Sequence, residues 1–198
     1  MEKDNSKELL IDVTTSLIND YNGDVSKVTI REIATKSNVS VGLINYLFGN
    51  KDNLISICVQ KIILNVVTTF KPNLNIDSSL SNFDKAKQKL KTTAKQVFEF
   101  LFNNKSIAKI SILNDYANYN DKSNSNMTIK CFMSLLNDLE VEDSLKEKIA
   151  FYLTCTMQVA FIRSLTNSNY LGYDFNNKMD RDKFIDELVD KLLGGLYE

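Results

Sequence analysis

Histidine is absent from all 198 residues, which excludes His-dependent triads, imidazole proton shuttles and most transition-metal sites. Proline occurs once, at Pro72, and glycine six times. With so few breakers almost nothing forbids long helices, and Asn-rich patches must supply most of the punctuation, so an all-α fold is expected. No glycine-rich phosphate loop is present, and neither a metal nor a cofactor is expected. The three cysteines, Cys58, Cys131 and Cys155, are far apart, odd in number and set among apolar neighbours. That suits small buried hydrophobes in a reducing compartment better than disulfides or redox sensing. No apolar run approaches the length of a membrane span, and the polar start Met1 to Lys7 has no hydrophobic stretch behind it, so a cytoplasmic protein without membrane contact is expected.

Apolar residues make up 43% of the chain and charged residues 25%, enough of each for a folded core with a charged surface. The net charge of −1 gives no global electrostatic reason to approach a polyanion. Locally the balance reverses. Between Ser26 and Lys51 four cations (Lys27, Arg31, Lys36, Lys51) face one anion (Glu32), whereas the first 25 residues carry two lysines and six carboxylates.

Apolar spacing predicts a helix from Lys7 to Tyr21, carried by Leu9, Leu10, Val13, Leu17, Ile18 and Tyr21 and ended by Asn22-Gly23-Asp24. Thr29-Ile-Arg-Glu32 reads as a capping box opening a short second helix that stops near Ser37 and Asn38. Ser40 caps a third helix, Val41 to Leu47, and Asn50 a fourth, longer one. Lys71 to Ser81 is the best interdomain linker, which divides the chain into a first domain over 1–68 and a second over 69–198. Further helices are expected over Phe83 to Asn103, Ile107 to Tyr119, Met127 to Leu139, Ser144 to about Asn167 and Asp182 to Leu196, about nine in all. Ser144-Leu-Lys-Glu147 reads as a second capping box, Gly172 falls in a loop, and the lysines between Asp84 and Asn103 read as a solvated face.

Helix two, a tight turn and helix three place Ala34, Asn38 and Ile44 where a helix-turn-helix needs a small residue, a residue tolerant of positive φ and a buried aliphatic. The segment from Thr29 to Leu54 resembles the TetR/AcrR helix-turn-helix and the start of the helix behind it. The shared features are Thr29, Ile33, Ala34, Val39, Ser40, Gly42, Tyr46, Phe48, Lys51 and Leu54. Asn45 stands where the family usually has an aromatic residue, and Asn38 where it usually has the turn glycine. Beyond residue 70 the likeness is architectural.

The resemblance implies an N-terminal three-helix DNA-binding domain, a helical domain that binds an effector and dimerises, and a repressor released from its operator by a small molecule. On the proposed recognition helix, Asn45 can pair with adenine and Val41 or Leu43 can meet a thymine methyl, while Gly42 lets the backbone come close. Thr29, Ser40, Tyr46 and Lys51 suit phosphate contacts. Each also has a plainer role: Thr29 and Ser40 as caps, Tyr46 as core, Lys51 as an ordinary solvated lysine. The helices over 144–167 and 182–196 are apolar enough for a homodimer interface. Phe98, Phe102, Ile112, Tyr116, Met127, Phe132, Tyr152, Cys155 and Phe161 are the residues from which an apolar effector pocket could be drawn, plain core being the alternative for most of them. The rival to a regulator is a helical protein-interaction adaptor whose motif does not bind DNA. An enzyme would have to rely on carboxylates, Lys, Cys or Tyr, and no such constellation stands out.

Overall fold

The computed structural model describes residues 2–70, 79–118 and 121–194. Nine helices lie among them: α1 (Glu2–Asp20), α2 (Ile30–Lys36), α3 (Val41–Phe48), α4 (Lys51–Thr69), α5 (Asn82–Asn103), α6 (Lys105–Ala117), α7 (Asn124–Ser134), α8 (Asp143–Ser164) and α9 (Lys178–Gly194). A two-residue antiparallel hairpin, β1 (Asn169–Tyr170) with β2 (Tyr173–Asp174), precedes α9. Most of the expected linker, Tyr119, and the last residues of the expected final helix, including Leu196, lie outside the described residues.

The chain forms two compact units, residues 1–69 with 104–119, and residues 70–103 with 120–198. This differs from a single cut after residue 68, because α6 joins the first unit. The reason is a seam between α4 and α6. The Gln60 amide donates to the Ser111 carbonyl at 3.4 Å and to the Asp115 carboxylate at 3.2 Å, and the Ser56 hydroxyl donates to Asn114 at 3.1 Å. Ile107, Ala108 and Ile112 are buried beside these bonds. In α1 the buried stripe is Leu10, Thr14, Leu17 and Ile18, with Leu9 47% exposed. Helix α1 ends in a Schellman motif, Asn22 at φ 52° with its N–H on Asn19 and the Gly23 N–H on Ile18. Gly23, at φ 80°, backs onto Ile107.

The second unit is built on α5, α8 and α9. Leu90, Ala94, Phe98 and Phe102 of α5 are buried with Leu153, Met157 and Phe161 of α8 and Phe184, Ile185 and Val189 of α9. Its aromatic centre includes Phe175, which follows the hairpin, is fully buried and stacks on Phe102 at 6.3 Å. Arg181, 7% exposed, donates to Glu99 at 2.7 Å and to the carbonyls of Phe175 and Asn176, with its guanidinium 4.7 Å over the Phe102 ring.

Three sequence expectations change here. Helix α8 starts at Asp143 with Glu142 at the cap position and no side-chain cap bond, so Ser144 lies inside the first turn and opens no capping box. Helix α7 is shorter than Met127 to Leu139, ending at Ser134, yet Leu136 and Leu139 are buried in the turn beyond it. The α5 lysines are an ion-paired face: Lys87 and Lys91 each lie 2.7 Å from Asp190, Lys95 2.7 Å from Asp186, and Lys89 2.7 Å from Asp138.

Candidate DNA-binding site

Helices α2 and α3 are held in place by caps and turns that the local sequence supplies. The Thr29 hydroxyl accepts from the Glu32 N–H at 3.2 Å, the Ser40 hydroxyl from the Leu43 N–H at 3.2 Å, and the Asn50 side chain from the Asn53 N–H at 2.8 Å. Between α2 and α3, Asn38 takes φ 53° and donates its N–H to Thr35, while the Val39 N–H reaches Ala34. This is a Schellman closure in which Asn does the work usually left to glycine. Gly49, at φ 80°, ends α3. The expected capping box is completed differently, since the Glu32 carboxylate accepts from the Tyr21 hydroxyl at 3.0 Å and so ties α2 to the end of α1. That bond, with burial and the Glu32 charge, pushes the Tyr21 phenol above its ordinary value.

At about 100° per residue, α3 divides into two arcs. Ile44 and Phe48 are buried and Leu47 half-buried on one. On the other, Gly42, Asn45 and Tyr46 are exposed, with Val41 and Leu43 half-buried at its margins, and Tyr46 is 71% exposed. Tyr46 is therefore not core. Beside this arc, Arg31, Ala34, Thr35, Asn38, Val39, Ser40 and Val41 line an open groove between the end of α2 and the start of α3.

The local excess of positive charge is mostly engaged. Lys27 lies 3.5 Å from Asp24 and Lys36 3.4 Å from Asp20, both in exposed pairs that cost little to exchange for another anion. The Ser26 side chain, with Lys27, holds the Asp24 carboxyl below the usual range. Lys51, half-buried, donates to the Val28 carbonyl at 3.1 Å, tying the start of α4 to the residue before the Thr29 cap. Arg31 is exposed on α2 and has no ion-pair partner among the described residues. Sequence reasoning counted its charge but did not single it out, because only the fold shows which of the four cations face a carboxylate among the described residues, as Lys27 and Lys36 do.

The model of "Bacterial regulatory proteins, tetR family" matches residues 10–56, spanning most of α1, all of α2 and α3, and the first turns of α4. Residues 10–56 of this chain are thus similar to the N-terminal helix-turn-helix region of the tetR family. The helix-turn-helix described above, α2 to α3, lies wholly within the matched residues. Two solved structures show a similar fold over nearly the whole chain. A TetR transcriptional regulator from Rhodococcus sp. RHA1 is 15% identical with a TM-score of 0.53, covering 99% of this chain and 100% of that one. A tetR-family transcriptional regulator from Streptomyces coelicolor is 15% identical with a TM-score of 0.54, covering 96% of this chain and 80% of that one. No curated protein sequence matches.

Of the residues considered for an effector pocket, Ile112 and Tyr116 belong to α6 and the first unit, Ile112 buried and Tyr116 54% exposed. The other seven belong to the second unit. Phe98, Phe102 and Phe161 come together there, Phe102 lying 5.1 Å from Phe98 and 5.3 Å from Phe161. Phe132 is fully buried, Met127 and Cys155 are half-buried, and Tyr152 is 52% exposed on the outer side of α8. No helix among the described residues is long and apolar enough to cross a membrane.

Proposed function

We propose that this chain is a TetR-type DNA-binding transcriptional regulator, a repressor that binds a twofold operator as a homodimer and leaves it when a small apolar effector binds. The observation that carries the DNA-reading part is the outer arc of α3, which exposes Asn45 and a 71% exposed Tyr46 between half-buried Val41 and Leu43. A helix that leaves an aromatic ring and two aliphatic edges at its surface gains by entering a groove. Val41, Gly42, Leu43 and Asn45 face the bases; Thr29, Ser40, Tyr46 and Lys51 lie toward phosphate, Lys51 also bracing the Val28 carbonyl.

Dimerisation is assigned to α8 and α9. Tyr152, Cys155, Val159 and Ile162 follow one another at spacings of three and four along α8, all exposed or half-buried, with Phe151 48% exposed beside them. On α9, Leu188 and Leu192 are half-buried. A twofold pair of such chains sets two recognition helices about 34 Å apart, one turn of DNA. The effector is assigned to the second unit, whose interior at Phe98, Phe102, Phe132 and Phe161 suits an apolar molecule. It relieves repression only insofar as it binds the free and DNA-bound conformations with different affinity.

The test is binding of the purified protein to a duplex from its own upstream region at two salt concentrations, with Tyr46→Ala as the control and Lys51→Met as a second variant. Saturable binding that weakens steeply with salt and is lost in Tyr46→Ala, with the helical circular dichroism of the variant unchanged, supports the regulator. Absence of binding to that duplex and to random duplexes leaves the helical adaptor.

A further inference from the structure

The outer arc of α3 holds one amide (Asn45), one phenol (Tyr46), two aliphatic side chains (Val41 and Leu43) and a glycine. It holds no cation and no carboxylate. Each omission has a consequence for base reading. Guanine is most often read by Arg or Lys on O6 and N7, and cytosine by a carboxylate accepting from N4. Neither group is available on α3. An amide placed at a base edge pairs with adenine N6 and N7, and an aliphatic carbon gains from the thymine methyl.

The neighbouring cations all lie on elements other than α3. Lys51 donates to the Val28 carbonyl, and Lys27 and Lys36 face Asp24 and Asp20. Arg31, exposed on α2, lines the groove that ends at Val41. Arg31 therefore stands beside α3 and not on its outer arc.

We propose that the core of each operator half-site is made of A·T pairs, with Asn45 reading an adenine and Val41 and Leu43 reading thymine methyl groups. The specificity residue is Asn45, and its half-buried aliphatic neighbours set which strand carries the methyls. This rests on the DNA-binding reading above and narrows it to a class of sequence.

The experiment is selection of duplexes from a random pool by the full chain, followed by titration of a selected duplex carrying single-atom changes. Deoxyuridine in place of thymidine removes the methyl, and 7-deazaadenine removes N7. The expected core is A·T, with about tenfold weaker binding when 7-deazaadenine replaces the adenine under Asn45 and a several-fold loss on deoxyuridine. Asn45→Ala should lose about tenfold on the unmodified duplex, become indifferent to the deaza change and keep the salt dependence of the parent. Val41→Ala with Leu43→Ala should become indifferent to deoxyuridine. A selected core of G·C pairs, or modified duplexes bound as tightly as the parent, would overturn the proposal while leaving the regulator intact. Failure to select any duplex, with no salt-sensitive binding, overturns the DNA-binding reading itself and this proposal with it.

Discussion

Asn38 and Gly23 both sit at the ends of short connections, but they carry different loads. Asn38 takes φ 53° in the turn before α3 and is exposed, so Asn38→Gly should leave stability within about 0.5 kcal/mol by urea unfolding, since either residue adopts that backbone at little cost. Gly23 at φ 80° would bring a Cβ to 3.0 Å from Ile107 Cδ1, and Gly23→Ala should cost about 1–2 kcal/mol in the same assay, chiefly from the backbone. Cys58 is also fixed by its surroundings: burial pushes its thiol up to about 11, with Thr15 and Lys61 working the other way. Iodoacetamide at pH 8 should therefore label Cys58 slowly in the folded protein and readily once it is unfolded. The raised value favours the folded state below the ordinary thiol range, and that contribution is lost as pH rises toward about 11. Such residue types were legible in the sequence, because a turn residue, a cap or a cysteine among apolar neighbours announces itself locally. The bond from Lys51 to the Val28 carbonyl was not, because the partner comes from outside its own helix.

Between elements, the pairing of α5 with α9 shows where periodicity misleads. Lysines at 87, 91 and 95 recur every four residues and so lie on one side of α5, but whether that side meets water or carboxylates depends on α9 lying beside it with Asp186 and Asp190. For Asp190, burial works against ionisation, yet the bonds and charges of Lys87 and Lys91 outweigh it and hold the carboxyl below the usual range. Lys89 does the same for Asp138. A lowered folded value means stability present above the ordinary carboxylate range, near pH 4, and lost as pH falls through the folded value. The urea midpoint should stay level from pH 7 to about 5 and fall below about 4. Asp190→Asn should lower the neutral plateau and flatten the acid limb, whereas an unchanged acid limb would exclude this pairing as its source. The hairpin and Phe175 escaped sequence reading for a related reason. Four strand residues around Gly172 have no period long enough to detect, and a phenylalanine in a loop is buried only because Phe98, Phe102 and Phe184 surround it.

At the scale of the whole chain, the stripe along α8 is the feature with the largest consequence. If Tyr152, Cys155, Val159 and Ile162 meet their copies across a twofold axis, Val159→Glu should yield monomers in sedimentation equilibrium while the circular dichroism stays helical, because Val159 is 46% exposed within one chain. Operator affinity should fall with it, since two half-sites then no longer share one ligand. A dimer that survives the substitution would move the interface elsewhere. The sequence by itself determined the all-α class, the order of the helices and the helix-turn-helix, because helical period, caps and turn residues are encoded within a few turns of chain. It also placed the α3 residues proposed to meet DNA, for a helix of eight residues has only one side left once Ile44 and Phe48 are inward. Tertiary structure alone decided that α6 belongs with α1 to α4, that Lys51 braces Val28, and that Tyr152 faces outward on α8. Each of those depends on which residues, dozens of positions apart, are brought within bonding distance, and no local period of the chain carries that information.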